Sequence, residues 1–556
     1  MLFQKMLPLR SLWQEISDHF YPERADFTIW RPLGTDFSSN LMTSFPILCR
    51  RDMGNAFGTM LRPTAKSWFH LQRRYEKKSD SDTHSYLQWF EETQRRAMYD
   101  PMSLFVKATK QADHDFAAFG QCSISVEMNR NHDGLLYRCW HLRDMTWQEN
   151  ENGQIGFVAR KWKPTVQTLV RTFGDRVHEK IKTLNLKTPF EEFEVYHFVC
   201  DADMYDDGAR GRPRWSIWYD PTHDKIMQAD PIWGKHYVIP RWQTVSSAIY
   251  GTQYSFSPAT VAALPDARLI QAMTYTLLEA GEKATSPPVI ATQDAVRSDV
   301  ALYAGGITWV DAEYDEKLGE ALRPLTQDFR GFNFGTELIK DTRSLISKAF
   351  FLDTLSMPPQ GGPEMTAYEV GQRVQEYIRN ALPLFEPMEQ EYNAGVCDET
   401  FELLWRHGAF GDPRAWPRTL RGGSVDFVFE SPLHDVIEQQ KGDKFLQASK
   451  LVGIAIGMDP TAAQIPDASV ALRDALTGIG VPSNWMHSET AVKDRQAVQQ
   501  KQQQAQRMLD SMEQGSNVVK NMGAAGLPVG GGGGGAPPML PAPGKAAAPA
   551  IAAPAA

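Results

Sequence analysis

The sequence predicts a mainly helical α+β fold, and three observations lead to this prediction. Much of residues 10–118, and much of the chain from residue 266 onward, places apolar side chains at helical spacing. Residues 120–245 instead alternate short runs of β-branched and aromatic residues with turn formers, as a β meander does. The 556 residues are 42% apolar, which suffices for about three to four folded units with a sizeable core.

The first half of the chain is expected to run from helices into strands. A first helix carries Leu12, Trp13, Ile16 and Phe20 at helical spacing and ends before Pro22. Residues 39–61 and 80–118 also show helical periodicity. Within the meander of residues 120–245, one inserted helix is predicted near residues 164–186.

Two amphipathic helices follow, separated by a small β-containing insert. The first, residues 266–284, is expected to place five apolar residues on one face: Leu269, Ile270, Met273, Leu277 and Leu278. The second, residues 334–354, has a stripe of Leu338, Thr342, Leu345 and Ala349, widened by Ile339, Ile346 and Phe350.

The loop "SMPPQGGPE" comes next and combines stiff prolines with permissive glycines, which suits a movable segment without regular structure. Thr366 and Glu369 then have the spacing of a capping box that starts a long helix. Pro383 and Pro387 should kink this helix.

The C-terminal part contains a polar helix and a low-complexity tail. Ala491, Val498, Ala505 and Met512 recur every seven residues, a thin seam that fits either a solvated helix or a helical barrel of many copies. From Gly523 the sequence is rich in glycine, proline and alanine with one charge, so it cannot bury a core and is predicted to be disordered.

Composition argues against several classes of protein. The 58 basic and 67 acidic residues give a net charge of −9, whereas tight duplex-DNA binders normally have a basic surplus. The five cysteines are an odd number at wide spacing, which favours reduced thiols over a disulfide scaffold or a zinc site. No run approaches the ~18 apolar residues of a membrane span, and the N-terminus is too charged for a signal peptide.

Motifs for catalysis are weak throughout. "PGKA" at 543–546 lacks the leading glycine and the hydroxyl of a phosphate-binding loop, so a motor ATPase is not predicted. His114 lies between two carboxylates on a predicted helix, where a surface or hydrogen-bonded histidine is favoured over a hydrolytic site. The aspartates of "CDADMYDDG" could hold Ca²⁺ or Mg²⁺, although a polar hairpin turn is favoured: Asp201, Asp203, Asp206 and Asp207. No cofactor is expected.

Several stretches resemble one family in wording and in order. They are "FGTMLRPTAKSWFHL", "FGQCSISVEM", "GQIGFVARKWKPTVQTLVRTFG", "EMTAYEVGQRVQEY", "ESPLHDV" and the run with Arg241, Trp242, Tyr250, Gly251, Pro258, Leu264, Pro265 and Asp266. Over roughly residues 10–470 this order is similar to that of portal, or head-to-tail connector, proteins of short-tailed double-stranded DNA phages.

The resemblance implies the portal fold, a ring-forming arrangement of wing, stem, clip and crown. By position the regions are wing 1–265, stem 266–284, clip 285–333, stem 334–354, tunnel loop 355–365, wing 366–435, crown 436–522 and disordered tail 523–556. The tunnel loop facing DNA would comprise Met357, Pro358, Pro359, Gln360, Gly361 and Gly362. Lys340, Arg343 and Lys348 are candidate channel-facing basic residues, with a solvated helix face as the alternative. In "FGTMLRPTAKSWFHL", Trp68, Phe69 and Leu71 would anchor the wing core, with Arg62 and Lys66 in solvent or at a subunit contact.

The implied function is a structural, non-enzymatic ring, a dodecamer by resemblance, at one capsid vertex. Its expected partners are a terminase motor, tail adaptor and tail proteins, major capsid and scaffolding proteins, and double-stranded DNA held weakly and without sequence preference, but no membrane. It would reside in the virion, and in the host cytoplasm during assembly. Twelve copies at −9 would total −108, which suits a channel through which DNA must slide.

Two other functions remain open from the sequence. One is a tail adaptor or other virion scaffold that binds such a ring without lining its channel; adaptors are usually shorter and lack paired helices around an insert. The other is a metal-dependent enzyme that uses the aspartates of residues 201–207.

Overall fold

The computed structural model describes most of the first 430 residues and parts of the rest. The described residues are 2–244 without 33, 40, 65–66, 75–80, 207 and 209–210, then 253–285, 289–291, 322–324, 330–355, 388–429 without 423, and short stretches between 442 and 506. Contacts divide the chain into two compact units, residues 1–483 and 484–556, and the fold described below belongs to the first.

Helices dominate the N-terminal part, as predicted. They are α1 (Leu2–Lys5), α2 (Leu7–Phe20), α3 (Phe45–Leu61), α4 (Ser81–Met98) and α5 (Phe105–Phe119). The sequence analysis did not predict strand β1 (Phe69–Arg73), which pairs antiparallel with β14 (Val425–Phe429) near the other end of the described fold. The pairing of two segments this far apart in the chain leaves no local pattern that could reveal it.

Two glycines allow α3 and α5 to pack closely. A Cβ at Gly54 would lie 2.3 Å from the His114 ring, and one at Gly58 would lie 3.2 Å from the Asp113 carboxylate. The spacing of four residues places both glycines on the same side of α3. The small-residue stretch of "FGTMLRPTAKSWFHL" therefore contributes close helix packing.

The same stretch confirms one core prediction and corrects another. Trp68, Phe69 and Leu71 are buried, as expected. Arg62 was expected in solvent or at a subunit contact, but it is buried within the chain, because Asp113 neutralises its charge. The side chain of Lys66 lies outside the described residues.

The meander between residues 120 and 245 is confirmed as two antiparallel sheets. The smaller has the order β3 (Leu135–Cys139), β2 (Ile124–Met128), β9 (Tyr237–Val238). The larger has five strands in sequence order: β4 (Met145–Glu149), β5 (Ile155–Trp162), β6 (Val195–Asp201), β7 (Arg214–Asp220) and β8 (Lys225–Ile232). Strands β10 (Gln243–Thr244) and β11 (Ser255–Phe256) form a short separate pair.

The helix predicted near residues 164–186 is two short helices. α6 (Val166–Phe173) ends at Gly174, whose positive φ of 56° stops the helix, and α7 (Glu179–Lys187) follows. They enclose a small core of their own with residues such as Leu169 and Ile181.

The two amphipathic helices flank an insert as predicted, but both start earlier. α8 (Pro258–Thr285) and α9 (Arg330–Ala349) are separated by the strand pair β12 (Val289–Ala291) and β13 (Leu322–Pro324), and a short α10 (Leu352–Leu355) follows. Pro265 lies inside α8.

The remaining described elements follow the predicted tunnel loop. They are a π-helical turn (Glu389–Asn393), α11 (Ala394–Arg406), β14 and α12 (Ala468–Gly478). The loop residues 357–362, the capping box at Thr366 and Glu369, the kinks at Pro383 and Pro387, and the tail from Gly523 lie outside the described residues. In the second unit, residues 497–499 and 501–506 are helical and exposed.

Candidate functional site

The helical hairpin formed by α8 and α9 is the element that the sequence analysis assigned to the stem. A Cβ at Gly335 would lie only 3.0 Å from Leu277 Cδ2, so the two helices approach closely at this level. Nearer the N-terminal helices, Gln271 of α8 bonds to Thr43 while Arg343 of α9 lies over the Phe45 ring at 5.6 Å. From the level of Gln271 and Arg343 to the level of Leu277 and Gly335, the residue number rises along α8 and falls along α9. The two helices are therefore antiparallel.

The predicted apolar face of α8 is only partly correct. Ile270 is fully buried and Leu277 is half-buried, but Leu269 and Leu278 are exposed. Successive residues are separated by roughly 100° around a helix. Leu269 and Leu278, which are next to Ile270 and Leu277 in sequence, therefore point away from the buried side of α8. In α9, Thr342, Ile346 and the following Phe350 are buried, whereas Leu345 of the predicted stripe is exposed.

The base of the hairpin is fixed to the N-terminal helices by buried hydrogen bonds. Ser257 Oγ donates to the Ala117 carbonyl and Thr260 Oγ1 to the Ala118 carbonyl, both at 2.8 Å. Gly120 follows α5 with a φ of +70°, and a Cβ there would lie 2.1 Å from the Phe256 backbone. Glycine is therefore required at this crossing, and the hairpin starts from a rigid support.

The three candidate basic residues all lie on α9 and are exposed: Lys340, Arg343 and Lys348. Their positions span roughly 140° of the helix circumference, so they form a broad face and not a narrow line. Arg343 is additionally held over the Phe45 ring of α3.

The π-helical turn, Glu389–Asn393, follows the predicted tunnel loop in the sequence. Glu391 accepts hydrogen bonds from the Arg241 backbone N–H at 2.8 Å and from its Nη2 at 2.9 Å. Asn393 Oδ1 accepts from Arg62 Nη1 at 2.8 Å, and Tyr392 lies beneath the Arg62 guanidinium at 4.5 Å. Two arginines from distant parts of the chain thus hold this turn from both sides. Single π-helical turns are rare in proteins and are frequently found at functional sites.

Both carboxylates beside His114 belong to structural ion pairs. Asp113 pairs with Arg62, and burial raises the pKa of Asp113 although Arg62 opposes that shift. Asp115 accepts two hydrogen bonds from Arg24, at 3.1 and 2.8 Å. With both carboxylates occupied by arginines, they serve the packing of α5 and not hydrolysis.

His114 itself departs from the predicted surface or hydrogen-bonded histidine. It is half-buried against the edge of Tyr21, and its Nδ1 has no hydrogen-bond partner among the residues that the structure describes. Burial, with Arg50 and Lys110 nearby, lowers the pKa of His114 to about 4. The ring is thus neutral at physiological pH and acts as a packing group against Gly54.

The aspartates of residues 201–207 occupy the connection between β6 and β7, as the hairpin-turn prediction required. Asp201 pairs with Arg214 Nε at 3.3 Å and accepts from Asn150 Nδ2 at 3.2 Å. Asp207 lies outside the described residues. Among the residues that the structure describes, no group of three or more His, Cys, Asp or Glu side chains could hold a metal ion. This gives the metal-enzyme alternative no support.

One carboxylate that sequence reasoning missed joins the strands to α11. Glu399 accepts the backbone N–H groups of Lys235 and His236 at 2.6 and 2.9 Å. A Cβ at Gly234 would lie 2.0 Å from the Glu399 carboxylate, so the loop can wrap it only with glycine at that position. "WGKH" before a strand was the one local signal of such a loop.

A second missed cluster lies between the two sheets. His197 is fully buried, with Nδ1 2.6 Å from the Tyr237 hydroxyl, Nε2 2.8 Å from Ser216 Oγ, and its ring stacked on Trp218. His236 lies edge-on to it at 4.9 Å. Burial lowers the pKa of both, to about 3 for His236.

Within the described part of the chain, no helix is both long and apolar enough to cross a membrane. The main features are thus the helical hairpin fixed at its base to α5, the exposed basic face on α9, and the π-helical turn held by Arg62 and Arg241. They build a structural framework.

Comparison with known proteins agrees with this structural character. The family model described as "Bacteriophage head to tail connecting protein" matches residues 2–486. The chain is 24% identical over 438 residues to a probable portal protein of Bordetella phage BPP-1, covering 76% of each chain. It is 22% identical over 469 residues to the portal protein of Salmonella phage epsilon15, covering 80% of this chain and 79% of that one.

Solved structures similar to the chain are more distant. One is a chain in the virion of a native gene transfer agent particle, with 10% identity and a TM-score of 0.33. The match covers 75% of the present chain and 91% of that chain. Another is a chain in the neck of an empty gene transfer agent particle, with 12% identity and a TM-score of 0.34. The match covers 81% of the present chain and 96% of that chain. Because the family model spans most of the chain, the protein belongs to the bacteriophage head to tail connecting protein family.

Proposed function

We propose that the protein is a phage portal: a ring at one capsid vertex that is the channel for DNA packaging and ejection and the platform for terminase and tail. The observation that carries the proposal is the family match over residues 2–486, together with two relatives named as portal proteins. The protein would act structurally and without catalysis, in the virion after assembly in the host cytoplasm.

The hairpin of α8 and α9 supports the assignment of stem and clip. Its two helices flank an insert that contains β12 and β13, which is the arrangement expected at residues 266–284, 285–333 and 334–354. A tail adaptor that only binds the ring, the second candidate, would not need such a pair around an insert. We also assign 355–365 to the tunnel loop, 436–522 to the crown, and the remaining folded parts to the wing.

Weak contact with DNA follows from the charge distribution. Each chain has a net charge of −9, so a ring of twelve would not attract DNA as a whole. The exposed Lys340, Arg343 and Lys348 would offer a few weak phosphate contacts that are easily exchanged. Residues 357–362 would touch passing DNA, and the terminase motor, capsid, scaffolding and tail proteins would bind the outside of the ring.

Negative-stain electron microscopy of the purified protein tests the proposal. We expect rings with a central hole; uniform monomers at every concentration would contradict a portal. Deletion of Pro358 to Gly362 tests the loop separately. Rings should remain intact while DNA packaging or retention falls, and normal packaging and retention by this variant would refute the loop assignment.

A further inference from the structure

The hairpin of α8 and α9 has two opposite sides that can be told apart by their contacts. Gln271 of α8 and Arg343 of α9 both contact the segment Thr43–Phe45, so they point to the same side of the hairpin. Leu269 and Leu345 each lie two residues away from these positions, about 200° around their helices. They therefore point to the opposite side.

The side away from Thr43–Phe45, called the distal face, is apolar and open. Leu269 is 43% exposed and Leu345 is 52% exposed. Phe334, which is 70% exposed, precedes Leu345 by eleven residues, close to three full turns, so it points the same way. The distal face thus consists of Leu269, Phe334 and Leu345.

The other side, called the arm face, is also apolar and open. Tyr275 and Leu278 follow Gln271 by four and seven residues, so they lie above it on the same side of α8, and they are 56% and 55% exposed. Met42, whose N–H donates to Gln271 Oε1 at 2.7 Å, is 40% exposed. The arm face thus consists of Met42, Tyr275 and Leu278.

The apolar residues of the two faces occupy the same two levels along the hairpin. The contact of Gly335 with Leu277 places their chain neighbours Phe334 and Leu278 at one level, near the insert. The shared contacts of Gln271 and Arg343 place Leu269, Leu345 and Met42 at a second level, near the wing. Each face therefore has apolar side chains at the level near the insert and at the level of Gln271 and Arg343.

We propose that the distal face of one copy packs on the arm face of the next copy, so that the hairpin forms the seam between subunits. This rests on the proposed ring. The occupant is a second copy because two faces on opposite sides of one element match a head-to-tail contact, whereas a twofold dimer would cover only one kind of face. Equal levels on both faces mean that neighbours are related by rotation about an axis along the hairpin without a shift, which closes a ring and avoids a filament.

Cysteine pairs across the proposed seam test it directly. One variant carries Phe334→Cys with Leu278→Cys, and another carries Leu345→Cys with Met42→Cys. Under mild oxidation both should give a ladder of disulfide-linked oligomers up to the closed ring on non-reducing gels. Of the native cysteines, four are buried and Cys139 is half-buried, so the unmodified protein gives the background.

The controls separate this seam from other contacts. Phe334→Cys paired with Phe190→Cys should give no ladder, because Phe190 is exposed but belongs to the β5–β6 insert. Disulfide dimers from Phe334→Cys alone would indicate a twofold contact and overturn the proposal. Rings seen by microscopy without ladders from either cross-face pair would overturn the seam and leave the ring standing; absence of rings would overturn both.

A charge substitution provides an independent measurement. Phe334→Glu with Leu345→Glu should weaken assembly at least about tenfold in concentration, a change of about 1.4 kcal/mol. The thermal midpoint of the unassembled chain should be unchanged, since both side chains are exposed in it. Leu186→Glu is the matched control, because Leu186 is 86% exposed but outside both faces. Equal assembly of the control and the double variant would contradict the proposal.

Discussion

Arg62 and Asp113 form an ion pair that is buried between α3 and α5, with Arg62 also bonded to Asn393 beyond the predicted tunnel loop. The pair joins three segments that are far apart in the chain. A buried charge without its partner is costly, so the pair constrains how these segments can assemble. The packing of these three segments therefore depends on one arginine whose neighbours in sequence give no sign of its role.

Arg62→Ala should destabilise the protein by about 3–5 kcal/mol, because it leaves the Asp113 carboxylate buried and unpaired. Replacing both residues with apolar ones, Arg62→Met with Asp113→Leu, should recover part of that loss. Arg51→Ala, which removes an exposed pair with Asp52, should change stability by less than about 0.5 kcal/mol. Urea unfolding of the three variants provides the values, and similar losses for Arg62→Ala and Arg51→Ala would show that the buried pair does not matter.

Gly54→Ala should destabilise the protein by about 1–3 kcal/mol, although alanine favours helices. The added Cβ would meet the His114 ring at 2.3 Å and force α3 and α5 apart. Gly281→Ala in α8 is the matched control, since nothing lies within 4 Å of its Cβ position. It should be neutral or stabilise by up to about 1 kcal/mol. Thermal unfolding distinguishes the two, and equal midpoints would refute close packing at Gly54.

Acidification should weaken the junction of the two sheets at His197 and His236. Both have pKa values below the unfolded value of 6.5, so they bind protons only when the protein unfolds. Their contribution to stability is complete above pH 6.5 and is lost as the pH falls toward the folded pKa, about 3 for His236. The slope per histidine is at most about 1.4 kcal/mol per pH unit, and less for His236, whose side chain is 19% exposed.

The groups that face these histidines determine how the pH effect must be measured. Arg160 opposes their protonation, and Glu127 lies 3.9 Å from His236. Burial raises the pKa of Glu127 and of Glu399, which stabilises the fold on acidification and has the opposite sign. The comparison is therefore between the natural protein and His236→Asn, since asparagine tolerates the φ of 63° at this position. Denaturant unfolding from pH 7 to 4 should show a shallower loss for the variant; parallel curves would exclude His236.

Glu399→Gln should cost about 1–2 kcal/mol, because two backbone N–H groups lose their charged acceptor. Glu402→Gln, one turn further along α11, removes only an i,i+4 pair with Arg406 and should cost under about 0.5 kcal/mol. Amide hydrogen exchange at Lys235 and His236 should accelerate only in the first variant. Unchanged exchange there would mean that the loop does not depend on Glu399.

Patterns with a short repeat could be predicted from the sequence. The helical stretches, the meander of residues 120–245 and the insert between α8 and α9 were all visible, because spacing of two or of three to four residues is a local property. The burial of Trp68, Phe69 and Leu71 was also predicted correctly. Collinear motifs led to the family that the comparison then identified.

Pairings between distant residues could not be predicted in this way. Arg62 was expected in solvent or at a subunit contact, and only its pairing with Asp113 allows its burial within the chain. Leu269 and Leu345 were assigned to buried stripes because periodicity cannot tell which neighbour covers which side of a helix. The sequence by itself determined most of the elements and the family, since both are recorded in local order. The tertiary structure decided which charges meet and which apolar faces remain open, since those depend on where the elements lie in space.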